Sequence, residues 1–231
     1  MDSIIKTDND SNIDESNYDV SFEPKKIDNL VELLNSDLYK NFSMLLWGPR
    51  RSGKTTFLFT LLEKLLKIIN IDKSIIIKYK NTSEKDKDND GILNFELSDS
   101  SLWILNSIIV EQKKIFQDEE LSKKSLHYFI IFDDIQSTES FLKEKFNLII
   151  NTLLVEGRHI NISIIITIQQ KNFLQKQQRD NFDFFACILP FSALYGDEIK
   201  KIYFDKINLD KTKEFDVAVY CKSEQFIIRA P

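Results

Sequence analysis

The chain has 231 residues, of which 42% are hydrophobic and 29% charged, a balance typical of a globular protein with one sizeable core. Its net charge is −5, and residues 1–20 alone carry six acidic side chains and one lysine. The acidic balance therefore belongs to the amino-terminal segment. It does not argue against a nucleic-acid partner for the remainder, and no basic block argues for one.

The positions of the cysteines, the histidines and the apolar residues argue against several classes of protein. Cys187 and Cys221 lie in apolar stretches, which predicts buried free thiols rather than a disulfide. His127 and His159 have no cysteine or histidine at ligand spacing, so no metal cage is expected. The acidic start is unlike a signal peptide, and no apolar run approaches the roughly 20 residues that span a bilayer. We expect a soluble protein of a reducing compartment, without a membrane partner.

Periodicity divides the chain into an acidic, disordered tail over residues 1–24 and one domain over residues 25–231. Helical spacing is predicted for residues 27–35, Thr55–Ile69, Leu102–Phe116, Ser137–Glu156 and Glu198–Phe204. Apolar strands are predicted for Phe42–Trp47, Ser74–Tyr79, Leu126–Phe132, Asn161–Ile168 and Phe182–Leu189. Lys80–Asp90 is predicted as a solvated loop, and Asp216–Cys221 with Gln225–Arg229 as a terminal hairpin.

Local signals mark two helix ends. Asp99 and Ser100 are predicted to cap the helix that precedes Phe116, and Gly157 is predicted to end the next long helix. The alternation of strands and helices predicts an α/β fold with a parallel central sheet and helices on both faces. Ligands of such sheets bind at the carboxyl ends of the strands.

A phosphate-binding loop follows the first strand. Two of the chain's five glycines, Gly48 and Gly53, have the spacing that this loop requires, and Lys54 follows the second. Glycine permits the backbone angles that turn amide N–H groups toward a phosphate, and the next helix adds its positive end. We expect Lys54 to reach the β- and γ-phosphates and Thr55 to bind Mg²⁺. The predicted nucleotide-binding residues are Gly48, Pro49, Arg50, Arg51, Ser52, Gly53, Lys54, Thr55 and Thr56.

Two adjacent acids end the third predicted strand. A nucleotide-bound Mg²⁺ needs a carboxylate on the strand that neighbours the phosphate loop, and hydrolysis needs a group that positions water. We expect Asp133 to hold the Mg²⁺ shell and Asp134 to act as general base. The strand and helix in Ser74–Phe116, inserted before these acids, indicate a RecA-like additional-strand P-loop NTPase with a C-terminal hairpin.

Four segments give a more specific resemblance: Gly48–Thr55, Ile131–Asp134, Gly157–Ser163 and Ile166–Gln169. In this order they resemble the FtsK–HerA-type DNA-packaging ATPases of large DNA viruses, virophages and Polinton-like elements, the poxvirus-type packaging ATPase. The Arg-His-x-x-Ile-Ser segment and the strand ending in Thr-x-Gln are the most diagnostic parts, and Arg179-Asp180-Asn181 also fits. The resemblance covers about residues 42–190.

The resemblance implies an ATP- and Mg²⁺-dependent motor that forms a homo-oligomeric ring. Gln169 would be the polar sensor, and Asp134 stands where ring motors often have glutamate. An arginine finger from the next subunit is implied. Of the five arginines (Arg50, Arg51, Arg158, Arg179 and Arg229), we favour Arg158, with Arg179 second.

The resemblance also implies partners. These are double-stranded DNA, bound without sequence preference, and a capsid or portal-vertex protein, in the virion or the host cytoplasm. Lys171, Lys176 and nearby glutamines are the candidate DNA contacts.

Three alternatives stay open. The first is a nucleotide-binding switch or scaffold that controls assembly without moving DNA, and DNA-stimulated hydrolysis would separate it from a translocase. A cellular or plasmid DNA pump is the second, against which the short length argues. A small-molecule kinase is the third, although the basic lid and acceptor site that it needs are not evident.

Overall fold

The computed structural model describes residues 23–68, 72–78, 92–135, 140–170, 173–190, 196–207, 212–222 and 224–229. Outside these ranges lie residues 1–22 of the tail predicted over residues 1–24, the predicted loop Lys80–Asp90 and the candidate DNA contact Lys171. The described residues form one eight-stranded sheet with helices packed on it.

The strands are β1 (Ser43–Trp47), β2 (Lys73–Lys78), β3 (Ile92–Glu96), β4 (Tyr128–Asp133), β5 (Ile162–Ile168), β6 (Phe184–Ile188), β7 (Val217–Cys221) and β8 (Glu224–Ile228). The helices are α1 (Ile27–Leu34), α2 (Lys54–Ile68), α3 (Asp99–Phe116), α4 (Glu119–Ser122), α5 (Ser140–Glu156), α6 (Lys176–Asp180) and α7 (Gly196–Tyr203). Short 3-10 helices occupy Asp37–Tyr39 and Gly157–His159. The five predicted strands and the hairpin are confirmed, whereas β3, α4 and α6 were not predicted.

The sheet order is β3-β2-β4-β5-β1-β6-β7-β8. Strands β1 to β6 are parallel, and the hairpin of β7 and β8 extends the same sheet in antiparallel fashion. The expectation that the Asp133 strand neighbours the phosphate-loop strand is wrong, because β5 pairs with both β1 and β4. The acid pair is therefore one strand further from the loop than expected, and β5 becomes the central element of the site.

Helices cover both faces of the sheet. On one face, residues such as Leu46, Ile131 and Ile165 pack against α1 and α2. On the other, their sequence neighbours, for example Ile166, pack against α3, α5 and α7. Every residue of β1 and β5 is buried, as expected of central parallel strands. This alternation also decides which side chains at the strand ends face α2.

The structure corrects one predicted helix cap and confirms one predicted helix end. Ser98, rather than Asp99 or Ser100, caps α3: its hydroxyl accepts the backbone N–H of Ser101 at 3.2 Å, and Asp99 is already helical. Helix α5 ends at Glu156, directly before Gly157 as predicted, but Gly157 itself is not left-handed. The chain continues into a 3-10 helix, and Asn161 is the left-handed residue, with φ 58°. A Cβ on Gly157 would lie 3.3 Å from the Ile162 carbonyl oxygen, so glycine there permits a close approach of the backbone.

Candidate active site

The loop between β1 and α2 has the backbone geometry that its glycines predict. Gly53 has φ +90°, and Arg51 is also left-handed, with φ 64°. A Cβ on Gly48 would lie 2.7 Å from the Ser52 hydroxyl oxygen and 3.3 Å from Cβ of Ile188, so this position has no space for a side chain. The N–H of Gly48 donates to the carbonyl oxygen of Ile168 at the end of β5, 3.2 Å away. The loop is thereby fixed to the carboxyl edge of the sheet.

Lys54, the first residue of α2, closes this loop. Its buried ammonium donates to the carbonyl oxygens of Gly48 and Pro49, each 2.8 Å away. Burial lowers the pKa of the Lys54 ammonium, while the nearby carboxylates of Asp134 and Asp133 act in the opposite direction. An anion at this place would restore the favourable environment that burial removes from the ammonium.

The acid pair is held by a threonine of β5. Asp133 is buried, and its Oδ1 accepts a hydrogen bond from the Thr167 hydroxyl at 2.8 Å. The same hydroxyl accepts the backbone N–H of Asp134 at 2.8 Å. Asp134 has a left-handed backbone, with φ 56°, and its side chain is exposed at the carboxyl edge. The sequence singled out Thr167 only as part of the Thr-x-Gln strand end and gave it no role of its own, although a hydroxyl within an isoleucine run was a usable signal.

Gln169, directly after β5, donates from Nε2 to Oδ1 of Asp134. A cavity of about 330 Å³ opens here. Its lining residues are Arg50, Arg51, Ser52, Gly53, Lys54, Thr55, Thr56, Asp134 and Gln169. The structure thus brings the predicted phosphate loop, the predicted base and the predicted sensor together around one space.

Arg158 is not part of this cavity. It precedes β5, at the amino edge of the sheet, where its Nε donates to Nε2 of His159 at 3.2 Å and its carbonyl oxygen accepts from Asn41. There it lines a separate cavity of about 430 Å³. The seven residues of β5 separate the two edges by about 20 Å. Arg158 therefore cannot reach the cavity of its own chain.

Two other predicted cations also lie outside the cavity lining. Arg179 is half-buried on α6, beside Trp47, Ile168 and Tyr203. Lys176 is exposed at the start of α6. The only arginines that line the cavity in the part of the chain that the structure describes are Arg50 and Arg51.

The donor set of the cavity fits a nucleotide phosphate with Mg²⁺. The hydroxyl oxygen of Ser52 is buried and has no hydrogen-bond partner among the described residues, as expected of a group that awaits an acceptor. The Thr55 hydroxyl and the Asp133 carboxylate are oxygen ligands of the kind that Mg²⁺ takes. Across the described ranges, no three His, Cys, Asp or Glu side chains are grouped to hold a metal. Mg²⁺ in nucleotide sites takes phosphate oxygens and water molecules as its further ligands.

The remaining sequence expectations concern thiols and membranes. Cys187 and Cys221 are buried and free, as predicted. None of the helices in the described ranges is both long and apolar enough to cross a membrane.

Sheet order, loop and cavity together define a RecA-like P-loop NTPase fold, and solved structures share this fold. The pCW3 conjugation coupling protein TcpA, solved with ATPγS, has a TM-score of 0.64 and 16% identity over 84% of this chain and 61% of that chain. B204, the DNA-packaging ATPase from Sulfolobus turreted icosahedral virus, has a TM-score of 0.61 and 16% identity over 83% of this chain and 98% of that chain.

The chain belongs to the Poxvirus A32 protein family, whose model matches residues 32–202. It is 32% identical to the DNA packaging protein OPG160 of Variola virus over 166 residues, which are 67% of this chain and 56% of that protein. For OPG160 of Vaccinia virus (strain Copenhagen) the identity is 32% over 155 residues, 63% of this chain and 52% of that protein. The chain thus spans about half the length of these curated relatives. The resemblance drawn from the four motif segments is confirmed.

Proposed function

We propose that this protein is an ATP-hydrolysing translocase of double-stranded DNA that packages a viral genome into a capsid. Its family membership and the DNA packaging relatives support the biological role. The observation that carries the chemistry is the hydrogen bond between Gln169 and Asp134 at the cavity that the phosphate loop lines. That bond joins the predicted sensor to the predicted base where a γ-phosphate would lie.

ATP would bind to groups of the phosphate loop, some of which hydrogen-bond to one another in the structure. Lys54 exchanges the carbonyl oxygens of Gly48 and Pro49 for phosphate oxygens, and the Ser52 hydroxyl gains an acceptor. Thr55 and Asp133 would hold Mg²⁺, which neutralises charge on the phosphates when bound. Burial lowers the pKa of the Lys54 ammonium, and a phosphate beside it would act in the opposite direction.

Hydrolysis uses Asp134 and Gln169. Asp134 orients a water molecule and takes its proton as the water oxygen bonds to the γ-phosphorus. The bond from that phosphorus to the bridging oxygen breaks, and ADP and phosphate result. The Gln169 amide, which donates to Asp134 in the structure, would donate to the γ-phosphate or the water instead. Exchange of this one hydrogen bond therefore releases the base when ATP is present.

The position of Arg158 supports completion of the site by a second subunit. An arginine at the amino edge can enter a cavity at the carboxyl edge only if the cavity belongs to another subunit. Such a head-to-tail contact uses two different surfaces and closes into a ring when the rotation permits. We therefore propose a homo-oligomeric ring in which Arg158 acts on the next subunit, where a trans arginine can add about 10³–10⁵ in rate.

DNA and the capsid are the proposed partners. A translocase must grip DNA of any sequence, so its contacts are expected on phosphates rather than base edges. Lys176, exposed at the start of α6, is the described candidate for such a contact. A capsid or portal-vertex protein would anchor the ring, in the virion or the host cytoplasm.

The test measures ATP hydrolysis with and without double-stranded DNA. The wild-type protein should hydrolyse ATP faster with DNA, and Lys54→Ala should be inactive while remaining folded. Lys64→Ala is the matched control, because Lys64 lies on the same helix and pairs on the surface with Asp28 at 2.6 Å. A rate of hydrolysis that DNA does not change would favour the nucleotide-binding switch or scaffold. Phosphoryl transfer to an added acceptor would favour a kinase, and a fully active Lys54→Ala would refute the site.

The trans arginine has its own test. Arg158→Ala and Asp134→Asn proteins should each be inactive, and a mixture should regain activity, because intact sites form between unlike subunits. Arg179→Ala mixed with Asp134→Asn is the control, because Arg179 is the second candidate. The assignment to Arg158 would be contradicted if activity returned only in the mixture that contains Arg179→Ala, or if it returned in neither mixture.

A further inference from the structure

We infer that Thr167 is the positioning residue of the acid pair, because its single hydroxyl orients the carboxylate of Asp133 and the backbone of Asp134 at once. The inference deepens the proposed function and rests on it, since it assigns a residue to the same site. Thr167 would not touch nucleotide, because it is fully buried and is absent from the cavity lining.

The sheet register places Thr167 between the two halves of the site. Thr167 pairs with Leu46 of β1, one residue before the end of that strand. On its other side, it lies one step beyond the Phe132–Ile166 pair, which sets it beside Asp133. Because Ile165, two residues earlier, packs against α1 and α2, Thr167 also projects to the α2 face. The phosphate loop leads into α2, so the threonine lies on the side where nucleotide and metal would bind.

The hydroxyl has one proton and two lone pairs, and the structure uses both functions. The proton goes to Oδ1 of Asp133, and a lone pair accepts the N–H of Asp134, each at 2.8 Å. The carboxylate that would hold Mg²⁺ and the backbone that carries the base are thus fixed relative to each other. A valine at this position would have nearly the same shape but could make neither bond.

The conformation of Asp134 shows why the second bond matters. A left-handed backbone is unfavourable for a residue with a side chain and persists where neighbouring groups hold it. Here Thr167 accepts the N–H of Asp134, and the side chain then reaches Gln169 at the cavity. Loss of the hydroxyl would therefore disturb the base and the metal carboxylate together.

Ser163, in the same strand, carries a second buried hydroxyl, which lies away from the cavity. It is fully buried, and its oxygen lies 3.0 Å from Nε2 of His127 at the amino edge of the sheet. Ser163 and Thr167 project to the same face of β5 but lie at opposite ends of the strand. Ser163→Ala is therefore a matched control that removes a buried hydrogen bond away from the site.

The experiment compares Thr167→Val, Thr167→Ser and Ser163→Ala with wild type. One readout is the affinity for a fluorescent non-hydrolysable ATP analogue over a range of Mg²⁺ concentrations, and the other is kcat. Thr167→Val should bind the analogue normally without Mg²⁺, yet need about 10- to 100-fold more Mg²⁺ for tight binding and lose kcat by a similar factor, as for other residues that orient metal ligands. Thr167→Ser should recover most of the Mg²⁺ dependence and most of kcat. Ser163→Ala should lower the melting temperature and leave the Mg²⁺ dependence and kcat unchanged.

Two results would overturn the inference. One is wild-type Mg²⁺ dependence and kcat in Thr167→Val, and the other is an equal loss of both in Ser163→Ala. If Thr167→Val does not fold, Thr167→Cys decides the question, because it retains the volume but is a much weaker donor. If wild type binds the analogue but does not hydrolyse ATP, the hydrolytic function fails, while the Mg²⁺ titration still decides the role of Thr167.

Discussion

Gln169 and Asp134 are joined by a side-chain hydrogen bond that connects the end of β5 to the residue after β4. The two side chains therefore cannot respond independently to a ligand. A phosphate that draws the Gln169 amide toward itself also releases the carboxylate of Asp134. The coupling needs no movement of either strand, because both residues follow the strand ends.

Substitution of Gln169 tests this coupling. Gln169→Ala should reduce kcat by about 10²-fold, the usual scale for a positioned polar group, with nucleotide affinity little changed. Gln169→Glu should replace the amide donor by a carboxylate that repels Asp134, so kcat should fall at least as far as in Gln169→Ala. Steady-state kinetics measure both effects. Gln170→Ala is the control, and equal losses at positions 169 and 170 would show that the effect is not specific.

At Arg51, the effect of the backbone conformation on stability can be separated from the effect of the side-chain charge on ATP binding. Because its φ is 64°, Arg51→Gly removes backbone strain and should be more stable to unfolding than Arg51→Ala by about 1 kcal/mol. Both variants lose the guanidinium at the cavity and should bind ATP more weakly to a similar degree. Chemical denaturation and nucleotide titration give the two quantities. Arg50 does not have a positive φ, so Arg50→Gly should instead be less stable than Arg50→Ala. The same order at both positions would contradict the loop geometry.

Gly48 tests the space inside the loop. The Cβ of Gly48→Ala would lie 2.7 Å from the Ser52 hydroxyl oxygen, so the loop must shift, and nucleotide affinity should fall about tenfold or more. Adding Ser52→Ala removes that oxygen and should restore part of the affinity. In Gly53→Ala the strain comes from φ +90°, so Ser52→Ala should not rescue it. Titration with a nucleotide analogue measures each variant, and rescue in both backgrounds would argue against a local clash.

Cys187 predicts how stability changes in alkali. Burial raises the pKa of this thiol well above its ordinary 9.0, an effect that the nearby Lys54 opposes. Above about pH 9 the thiol loses its proton in the unfolded chain but keeps it in the native protein. The free energy of unfolding should therefore fall with rising pH. The slope is up to about 1.4 kcal/mol per pH unit for one such group. Denaturation of Cys187→Ala in reductant should show a shallower fall between about pH 9 and pH 10. Parallel curves for the two proteins would contradict a protonated native thiol.

Local patterns made much of this site predictable. The spacing of Gly48, Gly53 and Lys54 describes one loop, because a phosphate cradle is built from consecutive residues. The acid pair and Gln169 could be placed at strand ends from apolar runs alone. Parallel strands share an edge, so these residues were expected to meet without any knowledge of strand order.

Other features depend on pairing between distant segments. The position of β5 between β1 and β4 is a property of the whole sheet. Because of this position, Thr167 contacts Asp133, which lies 34 residues earlier in the chain. The placement of Arg158 at the far edge follows from the direction of β5. Strand β3 was missed because Asn94 and Glu96 interrupt its apolar run, and helix α6 was missed because Lys176–Asp180 includes no apolar side chain.

Complete burial of β5 restricts how this protein can change shape. A shift of β5 by one residue would turn Ser163, Ile165 and Thr167 to the opposite face and would break every pair with β1 and β4. The strand therefore cannot slide to transmit the loss of a phosphate. Any large movement must occur in the turns after the strands or by rotation of the whole sheet as one body. The central strand acts as the fixed reference against which such movements are made.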